Sequence, residues 1–361
     1  MRRALFFIAA ALAFGGCSKK DESAPPPPPY VFAPIDIQRS FIAMTENPDA
    51  DDVLLIGEAA KKCAPYFDAA GVKSSVTANG KFDLVVMACK SVSIESCAKV
   101  RSLLRKGGAI AWMIDVTSTD AASFRKMIES FDMPAVRLWM VGEKQWLLTS
   151  STDGAKKRLD DMFNLFSVEG AFGALAEARS PAVHHLFAAY AGAREDIMPA
   201  FEEGDQKAEV RPEFFLTKEI PSLDWIDASR VDADIAKKFF DEARSMQVIR
   251  RLAVEGSMLA EAGREKEAVD AWARALKRNP NDMFVLERLD RLERNAKGFF
   301  EVRKILMAMK CYETMVLINP ENQAALNNFG VCLKKIGRSD IAERAFRRVK
   351  ELQELQARER R

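Results

Sequence analysis

The sequence predicts an α/β open sheet, followed by a helical region and an all-α repeat solenoid. Three observations carry this. Between residues 51 and 150, short apolar runs alternate with segments of helical spacing. Residues 151–245 show helical patterns broken near Gly170, Pro181, Pro199 and Gly204. Residues 246–361 are helical throughout and repeat themselves. A chain of 361 residues has room for two or three domains and more than one core.

The sheet is read from buried strands. Asp52 to Gly57, Phe82 to Ala88 and Ala109 to Val116 are continuous apolar runs, as strands covered on both faces require. Between them, Glu58 to Ala70 has helical spacing interrupted at Pro65 and stopped at Gly71. Val72 to Ala78 reads as a strand before a turn at Asn79-Gly80. Ser93 to Arg105 reads as a helix ended by Gly107-Gly108, and Asp120 to Phe131 as a helix with Asp120 near its start. Val136 to Val141 and Gln145 to Ser150 form a hairpin across Gly142-Glu143-Lys144.

The N-terminus has its own chemistry. Arg2 and Arg3 precede an apolar run from Ala4 to Phe14, then Gly15-Gly16-Cys17, the plan of a secretory signal. The small pair before Cys resembles a bacterial lipobox, with Phe14 where Leu is commoner. The resemblance implies cleavage before Cys17, acylation of its sulfur, and a place in the bacterial cell envelope, at the outer membrane or periplasmic face. An ordinary signal peptide, or an uncleaved anchor, with Cys17 incidental is the alternative. Residues 18–34 read as a tether, polar at first and then carrying the run Pro25 to Pro29, which favours an extended spacer. No other segment is apolar for long enough to span a bilayer.

The C-terminal phrases Ala275 to Pro280 and Val316 to Pro320 end 40 residues apart, and Gly256 and Gly330 stand 74 apart. A period of about 34 residues with one six-residue insertion resembles tetratricopeptide repeats. Leu252, Gly256, Leu259, Gly263, Ala268, Trp272, Ala275 and Pro280 match the pattern in the first repeat. Leu326, Phe329, Gly330, Leu333, Gly337, Ala342, Phe346 and Val349 match it in the last. Small residues allow paired helices to approach, and Trp272, Tyr312 and Phe346 fill the space between them. In the middle repeat, Asp290 stands where Gly or Ala is usual and Lys297 to Val302 reads as inserted. The resemblance implies a scaffold that binds a protein or peptide partner, with Asn327 and Asn328 on the first helix of the last repeat as candidate contacts. A purely solvated role for both is the alternative.

The order of elements in 51–150 resembles a Rossmann-like methyltransferase core, and in particular the spermidine synthase family. Val53 to Gly57, Phe82 to Val86, Leu103 to Gly108, and Val136 to Trp139 with Trp146 to Leu148 carry the likeness. Arg211-Pro212-Glu213-Phe214 is a weaker echo. The resemblance implies an adenosyl cofactor, yet the residues that would hold it are missing. The loop Gly57 to Lys62 has one Gly where a Gly-rich loop is needed for close backbone approach. No acid ends the strand at Val76 to Asn79, and none occupies the catalytic place in Met87 to Ser91. The domain is therefore read as a pseudoenzyme without a cofactor. The alternative is an aminopropyl- or methyltransferase using Glu58 or Asp83 in the absent acids' roles.

Lys plus Arg is 54 against 52 Asp plus Glu, a net charge of +2, which leaves no basic surplus for nucleic acid. Only His184 and His185 are present, adjacent, so helical geometry points them about 100° apart. After Cys17, Cys63, Cys89, Cys97, Cys311 and Cys332 have no metal-site spacing; a Cys89–Cys97 bridge in an oxidising compartment is one reading, and a simple buried role for all five is the other. The chain is thus divided into a signal peptide over 1–16, anchor and Pro-rich tether over 17–50, the sheet domain over 51–150, a connecting region over 151–245, and repeats over 246–361. No catalytic or metal site is expected.

Overall fold

The computed structural model describes residues 35–88, 94–117, 119–131, 133–177, 182–202, 207–212, 219–280 and 282–359. Cys17, the run Pro25 to Pro29 and Cys89 lie outside these residues. Among the described residues, no helix is long and apolar enough to cross a membrane. The chain forms two compact units, one running to Arg251 and the other starting at Leu252.

The first unit is built on a seven-stranded mixed sheet. Its strands are β1 (Asp52–Ile56), β2 (Lys73–Ser75), β3 (Phe82–Ala88), β4 (Leu104–Asp115), β5 (Arg137–Met140), β6 (Gln145–Ser151) and β8 (Tyr190–Ala193), in the order β2-β1-β3-β4-β6-β5-β8. A two-residue strand, β7 (Lys157–Arg158), pairs with β9 (Ile226–Asp227) outside it. The first four strands are parallel, while β6 runs antiparallel between β4 and β5. Val53, Leu54 and Leu55 are buried, as are Leu84 to Val86 and Ala109 to Ile114. Gly57 turns off β1 at φ 91°. A Cβ there would fall 2.1 Å from the Ala88 carbonyl oxygen, so only glycine lets the ends of β1 and β3 approach this closely.

Three sequence expectations are corrected. The range 17–50 assigned to anchor and tether contains a helix, α1 (Ile35–Glu46), ten of whose residues are buried. Its last residue, Glu46, is fully buried: its Oε2 accepts from Arg137 at 2.6 Å and its Oε1 from the Thr149 hydroxyl at 2.6 Å. The Trp139 indole donates to the same hydroxyl at 2.9 Å, and the Arg137 guanidinium lies 4.1 Å from the centre of the Trp225 ring. A buried carboxylate is tolerable only with such partners.

The helix expected over 93–105 ends earlier, at Ser102 (α4, Ile94–Ser102), and Leu104 begins β4 instead. The extended backbone at this point allows Arg105 to reach Asp83 at 2.6 Å and Asp52 at 2.8 Å. Third, the helical geometry expected around His184 and His185 is not that of an α-helix. A 3₁₀ turn, Val183–Ala189, leads into β8, the sheet's last strand. The sheet unit therefore reaches well beyond residue 150. The remaining helices named at its periphery are α2 (Glu58–Lys61), α3 (Ala64–Ala69), α5 (Ala121–Ser130), capped by Asp120, α6 (Leu159–Phe166), α7 (Glu169–Glu177), α8 (Arg194–Ile197) and α9 (Pro199–Glu202).

The second unit is helical. It contains the end of α10 (Ala233–Glu261), which places the expected boundary at 245 inside a helix, and then α11 (Glu265–Arg278), α12 (Met283–Glu301), α13 (Ile305–Ile318), α14 (Gln323–Lys335) and α15 (Ser339–Glu359). The helices pair as hairpins. Asn279 ends α11 and Asn319 ends α13 with nearly equal dihedrals, while Asp282 and Asn322 cap the next helices through their side chains. Asp282 accepts from the Phe284 and Val285 amides, and Asn322 from the Ala325 amide. These are the same turn, 40 residues apart.

Candidate functional site

The helical unit is assembled by close approach. A Cβ at Gly256 would lie 2.6 Å from Trp272, and one at Gly330 would lie 2.7 Å from Phe346. In each case the aromatic stands sixteen residues after the glycine. The same interval separates two buried residues of the middle hairpin, Ala296 on α12 and Tyr312 on α13. Ala296 is thus the small residue of that hairpin, and the expectation at Asp290 is corrected. Asp290 lies six residues earlier on α12, where it pairs with Arg294 at 2.9 Å. The extra residues are not Lys297 to Val302. Counted from the shared turn, α12 is 19 residues long and α14 is 13, so the insertion lengthens the first part of α12.

The hairpin turns confirm this register. Gly263 and Gly337 adopt φ 74° and 84°, and Arg303 occupies the matching place at φ 60°. Arg303 is the one non-glycine residue with positive φ among the described residues. The neighbouring turns touch: Lys335 Nζ lies 5.3 Å from the centre of the Phe300 ring, and Lys310 lies 3.3 Å from the Glu265 carboxylate.

The candidate contacts fall on α14. Asn327 is exposed and Asn328 half-buried. The Tyr312 hydroxyl is within hydrogen-bonding reach of Asn328; burial pushes that hydroxyl's pKa up, and the Asn328 bond opposes the shift. Asn328 thus neighbours Tyr312 of the preceding helix, while Asn327 is exposed. Sequence reasoning missed this Tyr312 partnership, because it joins side chains of two different hairpins.

The sheet offers a second place. The carboxyl ends of β1, β3 and β4 border a cavity of about 690 Å³, lined among others by Arg39, Glu58, Ala88, Asp115, Thr117 and Gln145. Ligands of open α/β sheets bind outside the strands' carboxyl ends, where the connections reverse direction. Here β1 leads to β2 on one side and β3 lies on the other. Of the two acids proposed from sequence, Glu58 lines this cavity and Asp83 does not. Glu58 is exposed and pairs with Lys61 at 2.5 Å, whose hydrogen bond lowers its pKa. Asp83 lies at the amino end of β3. There it accepts from the Asp51 and Asp52 amides and from Arg105. Burial opposes ionisation, but these donors hold its pKa below the usual range. Asp83 therefore ties strands together.

Asp115 was not singled out from sequence, although an acid directly after a buried strand is a readable signal. Burial opposes its ionisation, and the Thr117 side chain and amide, with Lys144 and Arg39, hold its pKa low. The adjacent residues 89–93 lie outside the described set.

Other sequence candidates have ordinary places. The His184 Nδ1 lies 3.0 Å from Glu242, and its ring centre is 4.5 Å from that of His185. Burial pushes both imidazoles down to about 4. No group of three metal-ligating side chains occurs among the described residues. Trp139 and Trp146 are fully buried core residues. Cys63, Cys311 and Cys332 are free thiols, and burial pushes Cys63 up to about 11.

No protein-family model matches the chain. Over 124 residues, 34% of its length, it is 31% identical to tetratricopeptide repeat protein 33 of Xenopus laevis. The matched stretch spans 44% of that relative, less than half its length.

Proposed function

We propose that this protein is a non-catalytic scaffold whose second unit forms tetratricopeptide-type repeats and binds a protein or peptide. The observation that carries the reading is the recurrence of a small residue and an aromatic sixteen residues later: Gly256 packs on Trp272 and Gly330 on Phe346, and buried Ala296 and Tyr312 keep the same interval between them. A stack of such hairpins presents the first helix of each pair to a partner. In this reading Asn327 and Asn328 contact the partner's backbone, Asn328 from beside Tyr312. The 31% identity to a repeat protein supports a protein-interaction role.

The lipobox-like Gly15-Gly16-Cys17 supports acylation at Cys17 and a place at the envelope membrane. In that case α1, clamped by Glu46 and Arg137, would be where the tether meets the folded body.

A photo-crosslinking amino acid at position 327 tests the interaction. The expected result is a discrete protein adduct from position 327 and none from position 344, an exposed site on α15. Equal adducts from both, or none from either, would reject the assigned surface.

The cavity at the strand ends supports a second reading, a transferase with an atypical pocket that uses Glu58. It is weakened by the single glycine of the loop, which closes β1 against Ala88. Glu58→Ala is the corresponding test: a transferase would lose its activity, whereas partner binding in the scaffold would be unaffected.

A further inference from the structure

We propose that the edge of the helical unit formed by the α12–α13 and α14–α15 turns docks on an anionic bilayer surface. The α12–α13 turn holds up three apolar side chains: Val302 and Leu306, each 63% exposed, and Met307, 50% exposed. Arg303 and Lys304 stand between them, both exposed. The neighbouring turn adds exposed Lys334, Lys335 and Arg338, brought alongside by the contact of Lys335 with Phe300. The side chains of Arg303, Lys304, Lys334 and Arg338 have no ion-pair partner among the described residues. The nearby acids are fewer. Glu301 is exposed, Asp340 faces Arg344 at 3.7 Å, and Glu265 is engaged by Lys310.

The backbone at Arg303 is the second observation. The two matching turns place glycine at the left-handed position, and this one places arginine at φ 60°. Strain of that kind is retained where a side chain is needed in place. The composition argues for a bilayer over a protein. The apolar side chains are exposed at the turn and at the start of α13, and exposed cations stand beside them in the chain and on the neighbouring turn. That arrangement suits a headgroup layer over acyl chains, with apolar tips inserted and cations at the phosphates. The inference goes beyond the protein-binding reading and does not depend on the acyl anchor.

The test uses the unacylated chain 18–361, which keeps every described residue and lacks Cys17. Sedimentation is measured with phosphatidylcholine vesicles and with vesicles of equal phosphatidylcholine and phosphatidylglycerol. Binding is expected only to the anionic vesicles and should fall as salt rises. The double variant Arg303→Glu/Lys304→Glu should weaken it about tenfold or more. Leu306→Ser/Met307→Ser should weaken it as well, while Arg344→Glu/Arg347→Glu should leave it close to the parent value. Arg303→Gly guards against misfolding: it removes one cation and the strain together, so it should raise the melting temperature yet weaken binding. Absence of binding to anionic vesicles, or equal binding by all variants, would overturn the proposal. So would intact vesicle binding by turn variants that lose a protein crosslink instead, which would assign the edge to a protein partner.

Discussion

The two units use the same steric device over very different sequence distances. In the sheet unit, Gly57 lets β1 close on the Ala88 carbonyl, and the core is locked by Glu46, Arg137 and Thr149, with Glu46 and Arg137 91 residues apart. In the helical unit, Gly256 and Gly330 each meet an aromatic sixteen residues away, inside one hairpin. The first unit is therefore fixed by non-local, partly ionic contacts, and the second by local apolar contacts made repeatedly. Substitutions should act on whole-unit stability in the sheet and hairpin by hairpin in the helices.

The largest expected effect is at the buried pair. Glu46→Ala leaves Arg137 and Thr149 without their acceptor, and should cost the sheet unit about 3–5 kcal/mol. Denaturant unfolding followed by tryptophan fluorescence should show it, while the helical unit's transition stays in place.

Acid separates the units next. The chain's only histidines, His184 and His185, are in the sheet unit, and burial lowers both to about 4. Their folded pKa lies below the unfolded value near 6.5, so the unfolded state takes up protons first. Stability is full above about pH 6.5 and falls as the pH drops toward 4. Replacing both residues by Gln should flatten that slope in a pH series of melting curves.

Gly256→Leu forces a side chain into the Trp272 ring and should cost about 1–3 kcal/mol, confined to the helical unit. At the shared turn, Asp282→Ala and Asn322→Ala should each cost about 1 kcal/mol. Near-equal losses would support the 40-residue equivalence; loss at only one would break it. The smallest effect is a gain: Arg303→Gly should stabilise by less than about 1 kcal/mol.

Legibility followed burial. The strands β1, β3 and β4 could be read because their apolar runs are covered on both faces. Helix α1 could not, since Gln38, Arg39, Ser40, Thr45 and Glu46 are polar and yet buried, which erases the amphipathic pattern. Strand β8, Tyr190–Ala193, has no β-branched residue and follows an alanine-rich phrase, so it resembled a helix. The middle repeat was misplaced for another reason. Its six extra residues extend α12 without breaking helical periodicity, so the sequence gives no mark of where they enter. Of the site residues, Asn327 and Asn328 were chosen from the repeat pattern, and only the fold revealed Tyr312 behind Asn328. Asp83 was misjudged because its role depends on Arg105 and on the amides of β1.

The most direct test of the central claim, that the chain is a scaffold whose sheet cavity is not a nucleoside site, is calorimetric titration of the chain 18–361. The ligands are S-adenosylmethionine, its decarboxylated form and methylthioadenosine. The account predicts no saturable heat and no thermal stabilisation at millimolar ligand. Saturable binding abolished by Glu58→Ala would contradict it and establish the sheet cavity as a working nucleoside site.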